Sequence, residues 1–251
     1  MMNNQTVEQL LDMRLRAMRD EFNRQTELPA LMELSFEERF GMIVQAEWNC
    51  RQDRKYARLV KGADLPDKTA LLADIDFDAP RGIRKSQVAT LSSCDWIRRG
   101  QFLFLTGASG SGKTWIASAF AAEACRRRYS VKCHRFPRLL RQLGAAQLDN
   151  MWGREMDAIR KTDLLVLDDF AMDRMDAAQA RDFLEIVDDR TRERRSMIIT
   201  SQRPVSQWHD LFDDKTVADA ILDRLVNNSH RIELHGESMR TRNRPPAQAE
   251  E

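Results

Sequence analysis

The chain has 251 residues, of which 42% are hydrophobic and 31% charged, with a formal net charge of +1. That length allows one or two domains with a substantial buried core, and the near-zero net charge says little about partners. The longest apolar runs fall well short of the ~18 residues a membrane span needs, and the opening MMNNQTVEQL lacks the basic-then-apolar order of a secretion signal, so a cytoplasmic protein with no membrane association is expected.

Residues 1 to about 70 read as helical. Val7, Leu10, Leu11, Leu15, Met18 and Phe22 recur at the steps of one helix face. A second helix is expected to start at Ser35, because Ser35 and Glu38 have the spacing of a capping box. Phe40, Ile43, Val44 and Trp48 continue its apolar face, and Gly62 and Pro66 break the pattern. Between them, Arg51, Arg54, Lys55, Arg58 and Lys61 share one helical face. Such a stripe is either a row of phosphate contacts or an ordinary solvated face.

From about residue 71 short apolar runs alternate with helical stretches. FLFLT (102–106), SVKCH (130–134), LLVLD (164–168), SMIITS (196–201) and RIEL (231–234) read as strands of a parallel sheet sandwiched by helices, an α/β fold. The polar, proline-containing tail 241–251 is expected to be disordered. Cys50, Cys94, Cys125 and Cys133 show no zinc-ligand spacing and read as reduced, partly buried thiols.

GASGSGKT at 107–114 fits G-x-x-x-x-G-K-[ST], and it sits between a buried-strand pattern and an alanine-rich helix, as a phosphate-binding loop requires. Glycines let the backbone turn tightly and approach a phosphate, while loop N–H groups and the helix start offer positive charge. Gly107, Ala108, Ser109, Gly110, Ser111, Gly112, Lys113, Thr114 and Trp115 are therefore expected to hold ATP, with Lys113 on the β- and γ-phosphates and Thr114 on Mg²⁺. LLVLDDF places Asp168 at the C-terminal end of a buried strand, where ligands bind in such sheets. Asp168 is expected to hold Mg²⁺ through water, and Asp169 to orient the attacking water. Ser201 or Gln202, ending the next strand, could reach the γ-phosphate, unless they only make the turn before Pro204.

ADAILDRLVNNSHRIELHGESMR resembles the segment that carries the arginine finger in AAA+ ATPases, with Arg224 in the finger position. The alternative is a helix-end arginine paired with Asp219 or Glu233. From about Asp74 onward the chain resembles the IstB-like transposition helper ATPases, relatives of the DnaC helicase loaders. DWIRRGQFLFLTGASGSGKTWIASAFAAEA, LLVLDDF, IITSQRP with Trp208, AILDRLV and GESMR carry the likeness. The resemblance implies a RecA-like AAA+ sheet (residues 71–240) behind a small all-helical domain (residues 1–70) that binds DNA or a partner. It also implies a homo-oligomer formed with ATP on double-stranded DNA, bending of that DNA, and a partner transposase. Two departures stand out. Asp169 replaces the usual Glu, and too little chain follows Arg224 for the full helical lid domain of typical AAA+ proteins. Arg240 resembles a sensor arginine and is expected at the nucleotide.

In the wider clade the central channel of an assembly is lined near CHRFPRLLRQL, which makes Arg135 and Arg138 further candidates for the DNA backbone. No residue pattern suggests base readout. A helicase loader that binds single strands uses the same core and is the alternative function. A small-molecule kinase would need an acceptor lid and no arginine from a neighbour.

Overall fold

The computed structural model describes residues 2–236, 238 and 239. The chain forms two compact units, Met1–Arg58 and Leu59–Glu251. The sequence reading divided it near residue 70; residues 59–70 instead belong with the larger unit.

In the first unit, α1 (Met2–Asp12) and α2 (Arg16–Glu27) precede the long α3 (Phe36–Ala63), whose last turns lie beyond the division. The apolar repeat from Val7 to Phe22 is thus two helices. Leu15 N–H donates to the Leu10 carbonyl at 2.8 Å and Arg14 N–H to that of Leu11 at 2.9 Å, with Arg14 at φ 59°. This is a Schellman stop with arginine in the left-handed position that glycine usually fills. The start of α3 is as expected. Ser35 N–H donates to Glu38 Oε2 at 2.8 Å, and Glu38 N–H donates to Ser35 Oγ at 3.2 Å. The Ser35 N–H, and the Ser35 hydroxyl donating to the same oxygen at 2.9 Å, hold the Glu38 carboxyl below its usual pKa. The face expected to be apolar is rotated: Phe40 and Trp48 are 51% and 54% exposed, while Ile43, Glu47 and Cys50 lie on the less exposed side. Glu47 is buried because it accepts from Ala17 N–H at 3.1 Å and from Arg51 at 2.9 Å.

The larger unit is built on five parallel strands, β1 (Phe102–Gly107), β2 (Val131–Arg135), β3 (Leu164–Phe170), β4 (Ser196–Ser201) and β5 (Ser229–Leu234), in the order β2-β3-β4-β1-β5. The central strands read as continuous apolar runs because helices cover both faces, and every residue of β4 is buried. Those helices are α4 (Lys85–Ser92), α5 (Asp95–Arg98), α6 (Lys113–Arg126), α7 (Phe136–Leu148), α8 (Trp152–Arg160), α9 (Ala177–Arg192) and α10 (Lys215–Val226). Alanines along α6 let it lie close to the sheet, with Ile116, Phe120 and Ala121 fully buried. Arg126 and Arg127 at its end each pair with Glu123 at 3.1 Å, and basic residues there also suit the helix dipole.

An aromatic cluster fixes the end of β3. Phe170 packs on Phe136, Phe183 and Trp208 with ring centroids 4.9, 5.4 and 4.7 Å apart. Arg190 is fully buried, with no carboxylate on its guanidinium among the described residues. It donates to the carbonyls of Ile159, Thr162, Asp163 and Ser196, tying α9 to the starts of β3 and β4. Burial pushes its pKa down to about 9.

His134 on β2 is held neutral by burial, which, with Lys132 and Arg138 adding to the effect and Asp64 opposing it, pushes its pKa from 6.5 down to about 4. The folded state therefore binds this proton less readily than the unfolded chain. The contribution is complete above pH 6.5 and is lost as the pH falls toward 4. His134→Gln should flatten the acid limb of urea-unfolding stability by about 2–3 kcal/mol between pH 7 and 4. An unchanged limb would contradict the neutral, half-buried ring.

Candidate functional site

The C-terminal ends of β1, β3 and β4 meet the start of α6 at a cavity of about 870 Å³. The loop Gly107–Gly112 can form only with glycine at its turning points. Gly107 has φ 147° and Gly110 has φ 80°. A Cβ on the first would run into the Leu234 carbonyl, and one on the second into the Ser238 side chain. Ser109, Gly110, Gly112, Lys113, Thr114 and Trp115 line the cavity. Ser111 is buried, and its hydroxyl has no partner among the described residues. The Gly107 and Ala108 carbonyls accept from Lys113 Nζ at 2.8 and 2.7 Å. Burial lowers the Lys113 pKa, against the pull of Asp168 and Asp169.

Thr114 Oγ1 donates to Asp168 Oδ1 at 2.9 Å, and Thr200 Oγ1 donates to the same oxygen at 2.6 Å. A hydroxyl and a carboxylate in contact are the hard oxygen donors that Mg²⁺ takes alongside phosphate and water, so Thr114 and Asp168 fit the expected ion. Among the described residues no group of three or more His, Cys, Asp or Glu could hold a metal. Thr200 was not singled out from the sequence. Only its place opposite Leu105, one residue before the strand end, hints that it faces the carboxylate.

Asp169 lines the cavity. The ladder between β3 and β4 is irregular between Leu167 and Phe170, and Asp169 sits at φ 59°. A bulge of this kind re-aims a side chain, and aspartate tolerates the left-handed conformation better than most residues. The Asp169 N–H donates to Thr200 Oγ1 at 3.1 Å, and its Oδ2 accepts from Arg135 Nε at 2.8 Å. Gln202 lines the cavity, but Ser201 does not reach it. Ser201 is fully buried and its hydroxyl accepts from the Arg203 N–H at 3.1 Å, so of the two strand-end candidates only Gln202 faces the site.

Arg224 lies on α10 away from this cavity. It pairs with Asp188 on α9 and donates to the Ala220 carbonyl at 2.7 Å. Its partner is therefore neither Asp219, which faces His209 at 3.3 Å, nor Glu233. Arg240 lies outside the described residues, as does the tail 241–251. Nearby, Met239 N–H donates to the Gly110 carbonyl at 2.9 Å. On α3, Arg54, Lys55 and Arg58 are exposed and form no ion pair among the described residues, while Arg51 is engaged by Glu47. Lys61, in the last turn, and Arg138, in the first turn of α7, are also exposed. Cys94, Cys125 and Cys133 are buried and free, and burial pushes the first two thiols up to about 11 and about 12.

The family model for IstB-like ATP binding proteins matches residues 8–247. The chain belongs to that family. Among its relatives, one named an insertion sequence ATP-binding protein of Sinorhizobium fredii is 39% identical over 97% of this chain and 99% of its own. The ATP-binding protein named for insertion sequence IS1162 of Pseudomonas fluorescens is 42% identical over 82% and 89%. Among solved structures, DnaI is 23% identical with a TM-score of 0.57, over 66% of this chain and 92% of that one. The DnaC helicase loader is 18% identical with a TM-score of 0.54, over 66% and 97%. The larger unit thus has the RecA-like AAA+ fold, and the family is ATP-binding. Among the described residues no helix is long and apolar enough to cross a membrane.

Proposed function

We propose that this IstB-family protein is a Mg²⁺-dependent ATP hydrolase that assembles as a homo-oligomer on duplex DNA while ATP is bound. It bends that DNA and presents it to a partner transposase; hydrolysis to ADP and phosphate then drives release. The insertion-sequence names of its relatives support the transposition setting. Bending a short site costs roughly 1–6 kcal/mol, which contacts made along an ATP-bound assembly offset.

One observation carries the coupling of DNA to chemistry. Arg135, in the segment expected to face DNA, holds the carboxylate of Asp169, the group expected to orient water. A DNA phosphate competing for Arg135 frees Asp169. Lys113 leaves the loop carbonyls for the β- and γ-phosphates, Gln202 meets the terminal phosphate, and Thr114 and Asp168 hold Mg²⁺, with Thr200 orienting the Asp168 carboxylate. When bound, the ion neutralises charge that builds on the phosphate oxygens. Arg224 reaches the ATP of a neighbouring subunit, for which it must leave Asp188.

Arg135→Ala should raise turnover without DNA about 1.5- to 5-fold, since an exposed pair is worth roughly 0.2–1 kcal/mol, and should shrink the stimulation by duplex DNA. Lower turnover without DNA would contradict the latch. For the helix stripe, replacing Arg54, Lys55 and Arg58 together with Ala should flatten the salt dependence of duplex affinity, by about 0.9 in log–log slope per lost phosphate contact. An unchanged slope would mark the stripe as a solvated face.

A further inference from the structure

Arg81 is a basic residue of the cavity lining, beside Asp67, Asp74 and Asp76, for which neither the phosphate-loop pattern nor the family likeness supplies a role. It stands before β1, in a strap pinned to the larger unit by the buried Ile75, Ala79 and Ile83. The Arg81 carbonyl accepts from His235 N–H at 2.9 Å, so its backbone is anchored past the end of β5. The side chain is 6% exposed, yet it lines the cavity. Its Nη2 donates to the Asp76 carbonyl at 2.8 Å. Its Nε has no partner, and Arg81 takes part in no ion pair among the described residues. A buried guanidinium without a counter-charge is costly, and a buried unsatisfied donor calls for an explanation.

The position of the guanidinium supplies one. Its Nη1 lies 3.3 Å from where a Cβ on Gly112 would stand. Gly112, at φ 96°, caps the start of α6, the point where loop and helix N–H groups converge on phosphate. Arg81 therefore faces the same spot as the loop, from the strap side. Neither Thr114 nor Asp168, the pair expected at the metal, hydrogen-bonds to Arg81 among the described residues.

We infer that Arg81 is a second, in-subunit cation of the nucleotide site, binding the α- and β-phosphates that ATP and ADP share. It is a binding residue, not one that follows the γ-phosphate. Its loss should weaken ATP and ADP alike, as removal of uniform binding does. The inference rests on the ATP-site reading above.

The test uses the full-length chain without DNA, so that neither assembly nor hydrolysis enters. Affinities for ADP, a non-hydrolysable ATP analogue and inorganic pyrophosphate are measured by competition against a fluorescent ADP. The variants are Arg81→Gln, which keeps a donor for the Asp76 carbonyl but drops the charge, and Arg81→Lys, which keeps the charge. Thermal melts without ligand check folding. Arg81→Gln should weaken all three ligands by roughly 10- to 100-fold, with Arg81→Lys recovering part of the loss. Pyrophosphate binding unchanged in Arg81→Gln would overturn the inference, because a residue that only ties down the strap affects the nucleoside and not the phosphates. Loss confined to the ATP analogue would also overturn it, placing the guanidinium at the γ-phosphate. If Arg81→Gln does not fold, Arg81→Lys decides: affinities below those of the wild type in all three ligands support the inference, and equal affinities contradict the need for the guanidinium. Wild-type protein that binds no ADP would sink the ATP-site reading itself, an outcome distinct from all of these.

Discussion

Arg224→Ala should bind ATP with normal affinity and lose about 10³–10⁵ of its turnover, the range over which arginine fingers act. Within one subunit Arg224 lies away from the nucleotide cavity, against Asp188, so its effect on chemistry has to come through a neighbour. Mixing supplies the decisive arm. An Arg224→Ala subunit keeps an intact phosphate loop, and an Asp168→Ala subunit keeps an intact Arg224. Combined, they form some complete sites, and turnover should return at intermediate ratios. No rescue at any ratio would contradict action across subunits. Asp188→Asn is the control for local structure. It breaks the same ion pair but leaves the guanidinium free, and it should retain turnover. Equal loss in both variants would mean that the α9–α10 contact matters, not the finger.

The second large effect is expected at Asp169. Asp169→Asn keeps the size and a hydrogen-bonding side chain at the left-handed position, and asparagine tolerates that conformation. ATP binding should survive while turnover falls by about 10²–10⁴, the usual contribution of a positioned base. Lys113→Ala gives the contrasting pattern. Nucleotide affinity itself should fall, and with it all stimulation of DNA binding by ATP. If Asp169→Asn turns over at the wild-type rate, the water is oriented by another group, and Gln202, which shares the cavity, is the next residue to replace.

Most of the sheet was legible in the sequence because the physics is local. A strand buried on both faces must be apolar along its length, and all five runs became strands within two residues of their expected ends. The phosphate loop was legible because its pattern fixes the spacing of Gly107, Gly112, Lys113 and Thr114, and both glycines do take positive φ. The capping box at Ser35 was legible for the same reason, a fixed spacing with one mechanical use. What escaped depends on distant parts of the chain. The stop after α1 uses Arg14 instead of glycine, so it left no mark. Arg81 is brought to Gly112 by a strap without regular periodicity, and Thr200 and Ser201 differ only in which side of β4 they occupy. Ser201 looked available from its position and is turned into the Arg203 turn. The pairing of Arg135 with Asp169 joins residues 34 apart, each of which had been given a separate task.

Everything proposed for this protein depends on ATP governing its assembly on duplex DNA. The direct measurement is binding to a long duplex and to a single strand of equal length, with ATP and with ADP, across protein concentration. Steep, ATP-dependent binding that prefers the duplex is the expected result. A preference for the single strand would contradict the transposition reading in favour of a helicase loader, and ATP turnover with no binding to either form would contradict both.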